Sequence, residues 1–314
     1  FVILQSAVGA AQFALSRNGD AVSGTFGLLD FYLNTISISQ VYFTFTLFGM
    51  ILFLLTDPRR ALVKTAIGAG LFACAVAQSG HQTIFFVCAL ALVAVIQLNR
   101  VKTVVQGLIL GLGVMVLVFQ FYPETWTLTR EWWRKVAENP RSGKRMVVAD
   151  TIEFLARPKN AVLGLGMGQY TSRASLITSN DYLNRKLPDV VTGKSDYYVE
   201  SVAPAMAEFA ESGEGSAISK PYFSALSILS EFGLIGAAAC GLGFVIHLKR
   251  NLGRLRSKTL ALARLGMVSA VGLLFFLLCC GIENYVEFPQ AIFLPLLLYI
   301  AAQARALQLG NLAT

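Results

Sequence analysis

Charge is what this chain lacks most. Only 14% of its 314 residues are Asp, Glu, Lys or Arg, against roughly 25% in an ordinary soluble domain. Set beside a hydrophobic share of 55%, that shortfall argues against a soluble globule and for a polytopic membrane protein. Histidine is almost missing too, with His81 and His247 alone in the chain. The five cysteines, Cys74, Cys88, Cys240, Cys279 and Cys280, all fall inside apolar runs and show no metal-ligand spacing. They read as small buried hydrophobes with free thiols. No metal and no cofactor is expected. There is no internal repeat of the kind many transporters carry, and no signal-peptide layout opens the chain. Phe1 starts directly in an apolar run without an initiator Met, so the chain is expected to lack its true N-terminus. The net charge of +8 sits largely in short connections between apolar runs. It is information about orientation, and no nucleic-acid partner is expected.

Eight apolar runs approach the roughly 20 residues that a bilayer requires. They cover 1–16, 37–56, 62–78, 83–98, 103–122, 224–247, 260–281 and 289–307. The connections between them alternate in charge. Asp57-Pro58-Arg59-Arg60 and Asn99-Arg100-Val101-Lys102 are basic, and so is the stretch holding Lys249, Arg250, Arg254, Arg256 and Lys258. Ser79-Gly80-His81-Gln82 has no fixed charge, and the connection with Glu283 and Glu287 is acidic. Basic connections belong on the cytoplasmic side. Eight spans put every basic connection on that side and every neutral or acidic one outside. Seven spans break the pattern. The expected fold is an all-α polytopic membrane protein in three parts: membrane segments over 1–122, a mostly helical cap over 123–223 on the outer face, and membrane segments over 224–314.

The cap is the one long polar stretch, and structureless loops beyond roughly 12–15 residues are uncommon unless functional or disordered. It is polarised. Residues 123–173 hold nine Lys or Arg against five Asp or Glu, and 174–219 hold three against seven. Trp126, Trp132 and Trp133 follow the fifth span, as interfacial anchors or as a surface for stacking a sugar ring. From Arg145 to Phe154 the apolar spacing predicts an amphipathic helix, ended by Pro158. Gly164, Gly166 and Gly168 then alternate with apolar residues, which allows close backbone approach or unusual dihedrals. No Lys-Ser/Thr follows, so this run is not read as a nucleotide P-loop. Gly233, Gly236, Gly241 and Gly243 in the sixth span read as sites of tight helix packing.

Three motifs line up in chain order: Ser23-Gly24-Thr25-Phe26-Gly27, then Arg145 leading to Pro158 and Gly164-Leu165-Gly166, then Ser230-Glu231-Phe232-Gly233-Leu234-Ile235-Gly236. Together they resemble the O-antigen ligase and O-antigen polymerase superfamily of bacterial membrane glycosyltransferases. The resemblance covers roughly residues 17–250. It implies a GT-C-like helical fold in the bacterial inner membrane, with the 123–223 loop periplasmic. It also implies a lipid-linked oligosaccharide donor on undecaprenyl diphosphate, a glycan acceptor, and metal-independent chemistry. Other polysaccharide assembly proteins are partners to expect. The departures matter. Ligases carry a His-Asn pair where this chain has Tyr222 and Phe223. The family's Arg before Gly-Thr-Phe falls on Ala21, with Arg17 four positions earlier. The family's Ser-Arg pair after the third span reads Ser79-Gly80-His81. The missing His disfavours a ligase, which passes its glycan to lipid A core. It leaves a polymerase of exopolysaccharide or capsule type, or a diverged non-catalytic subunit of a membrane complex.

The chemistry asks for cations where a diphosphate leaves, because preorganised charge in a dry cleft stabilises the developing oxyanions. Arginine suits this through its planar fork. Arg145 is the first candidate from its motif position, with Arg17, Arg141, Lys144, Arg157 and Arg173 as further diphosphate or glycan contacts and Tyr222 as an orienting group. The alternative for each Arg is an interface or surface cation. A general base for the acceptor hydroxyl is sought at His81 or Glu231. His81 has a suitable intrinsic pKa, or is simply an exposed turn histidine. Glu231 lies in an apolar span, where an ionisable group normally faces a cavity or a partner, so a structural pairing is its other reading.

Overall fold

The computed structural model describes residues 2–16, 80–96, 101–124, 143–170, 193–196, 198–204, 224–257 and 259–281, with scattered positions between and after them. Regular structure among the described residues is entirely helical. In chain order it comprises α1 (Val2–Ser16), α2 (Gly80–Ile96), α3 (Val101–Phe121), α4 (Gly143–Leu155), α5 (Pro158–Leu163), α6 (Ser224–Arg254) and α7 (Leu260–Cys280). A π-helical turn, Tyr198–Val202, lies between α5 and α6.

Five of the eight expected spans are therefore helices, with shifted ends. The helix α6 runs past 247 to Arg254 because Leu, Lys and Arg propagate a helix well and cations suit its last turn. The helix α2 starts at Gly80, so His81 and Gln82 stand in its first turn rather than in a separate connection. The runs at 37–56 and 62–78 lie outside the described residues except for Gly70. The run at 289–307 is described only at a few positions from Leu296 to Ala304, all helical. Two helices, Ser224–Arg254 and Leu262–Cys280, are long and apolar enough to cross a membrane.

The chain divides into two compact units. The first comprises residues 1–129, 247–278 and 288–314. Its core is set by α2 and α7. On α2 the buried positions are Gln82, Thr83, Phe86, Ala89 and Val93, a helical stripe. The buried apolar residues of α7 include Val268, Val271 and Phe275. The rings of Phe86 and Phe275 meet edge to face at 5.9 Å, a favoured aromatic geometry. The helix α3 packs beside α2 and leaves Ile109, Leu112, Val116 and Phe121 more than half exposed. An apolar outer surface of this kind suits hydrocarbon better than water. Trp126 is 48% exposed and lies 5.2 Å from the Phe119 ring. At the C-terminal end of α6 a ladder of polar contacts reaches the last segment. His247 is hydrogen-bonded through Nδ1 to the Tyr299 hydroxyl, and Arg254 bridges Asn251 and Gln303.

The second unit comprises residues 130–246 and 279–287. Tyr170 and Tyr198 are its buried centre, packed by Leu165, Ala203 and Leu226. The cysteines divide. Cys279 and Cys280 are buried as expected, whereas Cys88 and Cys240 are exposed on their apolar helices. The glycines of α6 also depart from expectation. Among the described residues nothing lies within 4 Å of a Cβ on Gly241 or Gly243, so no tight helix contact is marked there. Gly233 breaks the helix instead.

Candidate functional site

The site grows from the glycine run after α4. That helix ends at Leu155, and Pro158, expected to end it, occupies the first turn of α5, where its missing N–H costs nothing. Gly164 caps α5 with φ 74° and ψ −172°, a conformation open essentially to glycine alone. Gly166 and Gly168 also have positive φ, 98° and 75°. The alternate glycines thus turn the chain sharply within a few residues.

The loop closes against the break in α6. Gly233 has φ 65° and ψ −168° inside that helix, the same glycine-only region. A helix broken at glycine leaves backbone groups in need of partners. The Leu165 amide donates to the Ser230 carbonyl at 2.8 Å, and the Gly166 amide donates to the Glu231 carbonyl at 2.9 Å. The two backbones lie in contact. A Cβ on Gly164 would stand 2.5 Å from the Glu231 carbonyl atoms and 2.6 Å from the Gly233 nitrogen. A Cβ on Gly233 would strike the Val162 carbonyl oxygen. Each glycine is therefore required by the other.

Glu231 then fastens the far end of the same loop. It is 3% exposed. Its Oε2 accepts the Gly168 amide at 2.8 Å, and its Oε1 accepts the Tyr170 amide at 3.2 Å. Glycine-rich loops often curl their amides around a bound phosphate. Here the amides of Gly164, Leu165, Gly166, Gly168, Gln169 and Tyr170 are all engaged within the protein. The anion that this loop encloses is the Glu231 carboxylate.

The loop ties outward on two sides. The Tyr170 hydroxyl is hydrogen-bonded to Thr151 Oγ1 at 2.7 Å, and its ring stacks on Phe154 at 6.4 Å, so α4 is fixed to the loop. The segment after residue 192 supplies the other side. Lys194 Nζ donates to the Gly168 carbonyl at 2.9 Å and lies 4.2 Å above the Tyr198 ring. Gln169 grips the same segment, donating to the Gly193 carbonyl and accepting the Ser195 amide, each at 2.7 Å. On the face of α6 leading to Glu231, Ser227 and Ser230 are buried, and their hydroxyls have no hydrogen-bond partner among the described residues. Replacing Thr151 by Val removes the bond to Tyr170. It is expected to lower stability by about 1 kcal/mol, read as an earlier melt of the purified protein in detergent.

Among the residues expected from sequence, Glu231 stands at the centre of this arrangement. Lys144 and Arg145 lie in the first turn of α4, and Arg157 is exposed in the link from α4 to α5. His81 lies in the first turn of α2, within the first unit. Arg17, Arg141, Arg173 and Tyr222 fall outside the described residues. The partners that sequence reading missed are Gln169, Tyr170, Lys194 and Tyr198. Lys194 belongs to a Gly-Lys-Ser triplet, Gly193-Lys194-Ser195, that the fold sets against the glycine loop. Comparison with known protein families, curated proteins and solved structures finds no match.

Proposed function

We propose that this chain is an eight-span, GT-C-like membrane glycosyltransferase resembling the O-antigen ligase and polymerase superfamily. In this reading it polymerises undecaprenyl-diphosphate-linked repeat units on the periplasmic face of the bacterial inner membrane. The observation that carries the reading is the meeting of two motifs that lie far apart in sequence. The glycine run after α4 and the Ser-Glu-Phe-Gly stretch of α6 form one interlocked unit through Gly164, Gly233 and the Glu231 carboxylate. Two motifs of one family pattern that are also two halves of one structure support the resemblance more than either does alone.

A second feature supports an anionic substrate. The first turn of α4 carries Lys144 and Arg145 and no acid. Cations at a helix N-terminus oppose the helix dipole, so they weaken the helix unless an anion offsets them. A donor diphosphate is such an anion. In this proposal Arg145 and Lys144 stabilise the leaving diphosphate as the acceptor hydroxyl oxygen bonds to the anomeric carbon. Arg157 lies at the other end of α4. Glu231 positions the loop that holds α4 in place.

The test is turnover of lipid-linked repeat units from the protein's own host, with products resolved as a ladder. Arg145→Ala is expected to lower the rate by about 100-fold or more, the usual scale for removing an electrostatic transition-state contact. An unchanged ladder discards Arg145 as the clamp. No ladder from folded, substrate-binding protein removes the polymerase reading, and adding a lipid A core acceptor to the same tube then tests the ligase. The non-catalytic reading has one observation in its favour. Glu231 spends both carboxylate oxygens on backbone amides, which is structural work.

A further inference from the structure

The polar ladder at the C-terminal end of α6 has donors without acceptors among the described residues. Asn251 is fully buried. Its Oδ1 accepts from Arg254 Nη1 at 2.9 Å, and Arg254 Nη2 donates to Gln303 Oε1 at 2.5 Å. The guanidinium has no acceptor of its own, so it fixes both amides with their oxygens toward it. Both amide nitrogens then point away, and among the described residues neither Asn251 Nδ2 nor Gln303 Nε2 has a partner. Reversing either amide would set N–H against N–H.

The charge is unbalanced as well. No Asp or Glu occurs from Phe232 to Ile282, or from Phe288 to Thr314. Among the described residues, α6 beyond Glu231, α7 and the segment holding Tyr299 and Gln303 therefore offer Arg254 no carboxylate. Lys249, Arg250 and Arg256 are exposed nearby in the sequence and add charge of the same sign. The backbone of α7 closes one side: a Cβ on Gly266 would lie 2.8 Å from Arg254 Cβ and 3.0 Å from the Asn251 carbonyl oxygen.

We propose that this cluster binds a phosphate-bearing anion. One phosphate group has enough acceptor oxygens to take both orphan amide nitrogens while it balances Arg254. A helix long and apolar enough to span a bilayer, ending in basic residues, places the cluster where anionic headgroups lie. The source is then an anionic phospholipid of the leaflet facing the basic connections. This cluster shares no residue with the glycine loop, and its test does not depend on turnover.

The full chain is purified in detergent and stripped of lipid. Its melt is followed with phosphatidylglycerol, with a diacylglycerol that lacks phosphate, and with inorganic phosphate. Lipid retention is counted by native mass spectrometry. The expected result is a raised midpoint with phosphatidylglycerol and none with diacylglycerol. A response to inorganic phosphate as well supports the phosphate site and assigns its source to free anion. The decisive variant is Asn251→Asp, which gives Arg254 an internal carboxylate; its lipid-free melt, measured beside that of wild type, shows that it folds. It is expected to bind phosphatidylglycerol about tenfold more weakly. Arg254→Gln should lose the lipid too. Equal response to diacylglycerol, or equal binding by wild type and Asn251→Asp, overturns the proposal.

Discussion

Gly164→Ala is expected to cost about 3–5 kcal/mol and to leave little folded protein at physiological temperature. Two penalties add. Residue 164 sits at φ 74° and ψ −172°, where a side chain costs about 1–3 kcal/mol. The new methyl would also lie 2.5 Å from the Glu231 backbone, and forcing a packed contact apart adds a further 1–3 kcal/mol or so. Gly166→Ala separates the two terms. Its φ is 98°, yet a methyl there would meet nothing nearer than Gln169 Cγ at 3.7 Å. It should therefore lose only the backbone term, about 1–2 kcal/mol. Melting midpoints of both variants in detergent, followed by tryptophan fluorescence, decide the matter. Equal losses would mean that the backbone contact between loop and helix does not hold the unit together. Gly233→Ala, the mirror of Gly164→Ala, should match it, because the same contact is broken from the other side.

That symmetry was only half legible in the sequence. Three glycines at alternate positions announce a tight, unusual loop, because nothing else requires that spacing. Gly233 gives no such announcement. A glycine in an apolar helix is most simply read as a packing position, and Gly241 and Gly243 beside it carry the same signature, yet nothing among the described residues lies within 4 Å of a Cβ there. What distinguishes Gly233 is its partner more than 60 residues earlier, which local pattern cannot show. Glu231 was visible as an odd ionisable group in an apolar run. Its partners are backbone amides, which carry no residue identity to search for. Lys194 sits in the acidic half of a polar stretch and looks like a solvated cation until the fold sets it on Gly168. The helices themselves were easier. Apolar length fixes α2, α3, α6 and α7 to within a few residues. Their polar tails, such as Lys249 to Arg254, were misplaced because good helix formers continue a helix after hydropathy falls. Gln303 shows the same limit from the opposite side: one amide in an apolar run gives no hint that it receives a half-buried arginine.

The second large effect concerns Glu231, where two roles predict different failures. As a clamp, its carboxylate accepts the Gly168 and Tyr170 amides. Glu231→Ala leaves both donors buried without a partner, at about 1–3 kcal/mol each, and is expected to destabilise the protein by about 3–5 kcal/mol. Glu231→Gln keeps one acceptor oxygen but turns an NH2 group toward the other amide. It should lose about 1–3 kcal/mol and still fold. As a general base the residue would behave otherwise, since Gln cannot take a proton and general-base catalysis contributes roughly 10²–10⁴-fold. The two roles part in Glu231→Gln, assayed well below its melting midpoint and normalised to folded protein. The clamp geometry predicts turnover within several-fold of wild type together with a lowered midpoint. A midpoint like that of wild type with a rate lower by 100-fold or more would place Glu231 at the reacting atoms. The clamp is the expected outcome, because both oxygens are already turned to the loop. An acceptor hydroxyl would have to compete with two backbone donors that the glycine conformations hold in position.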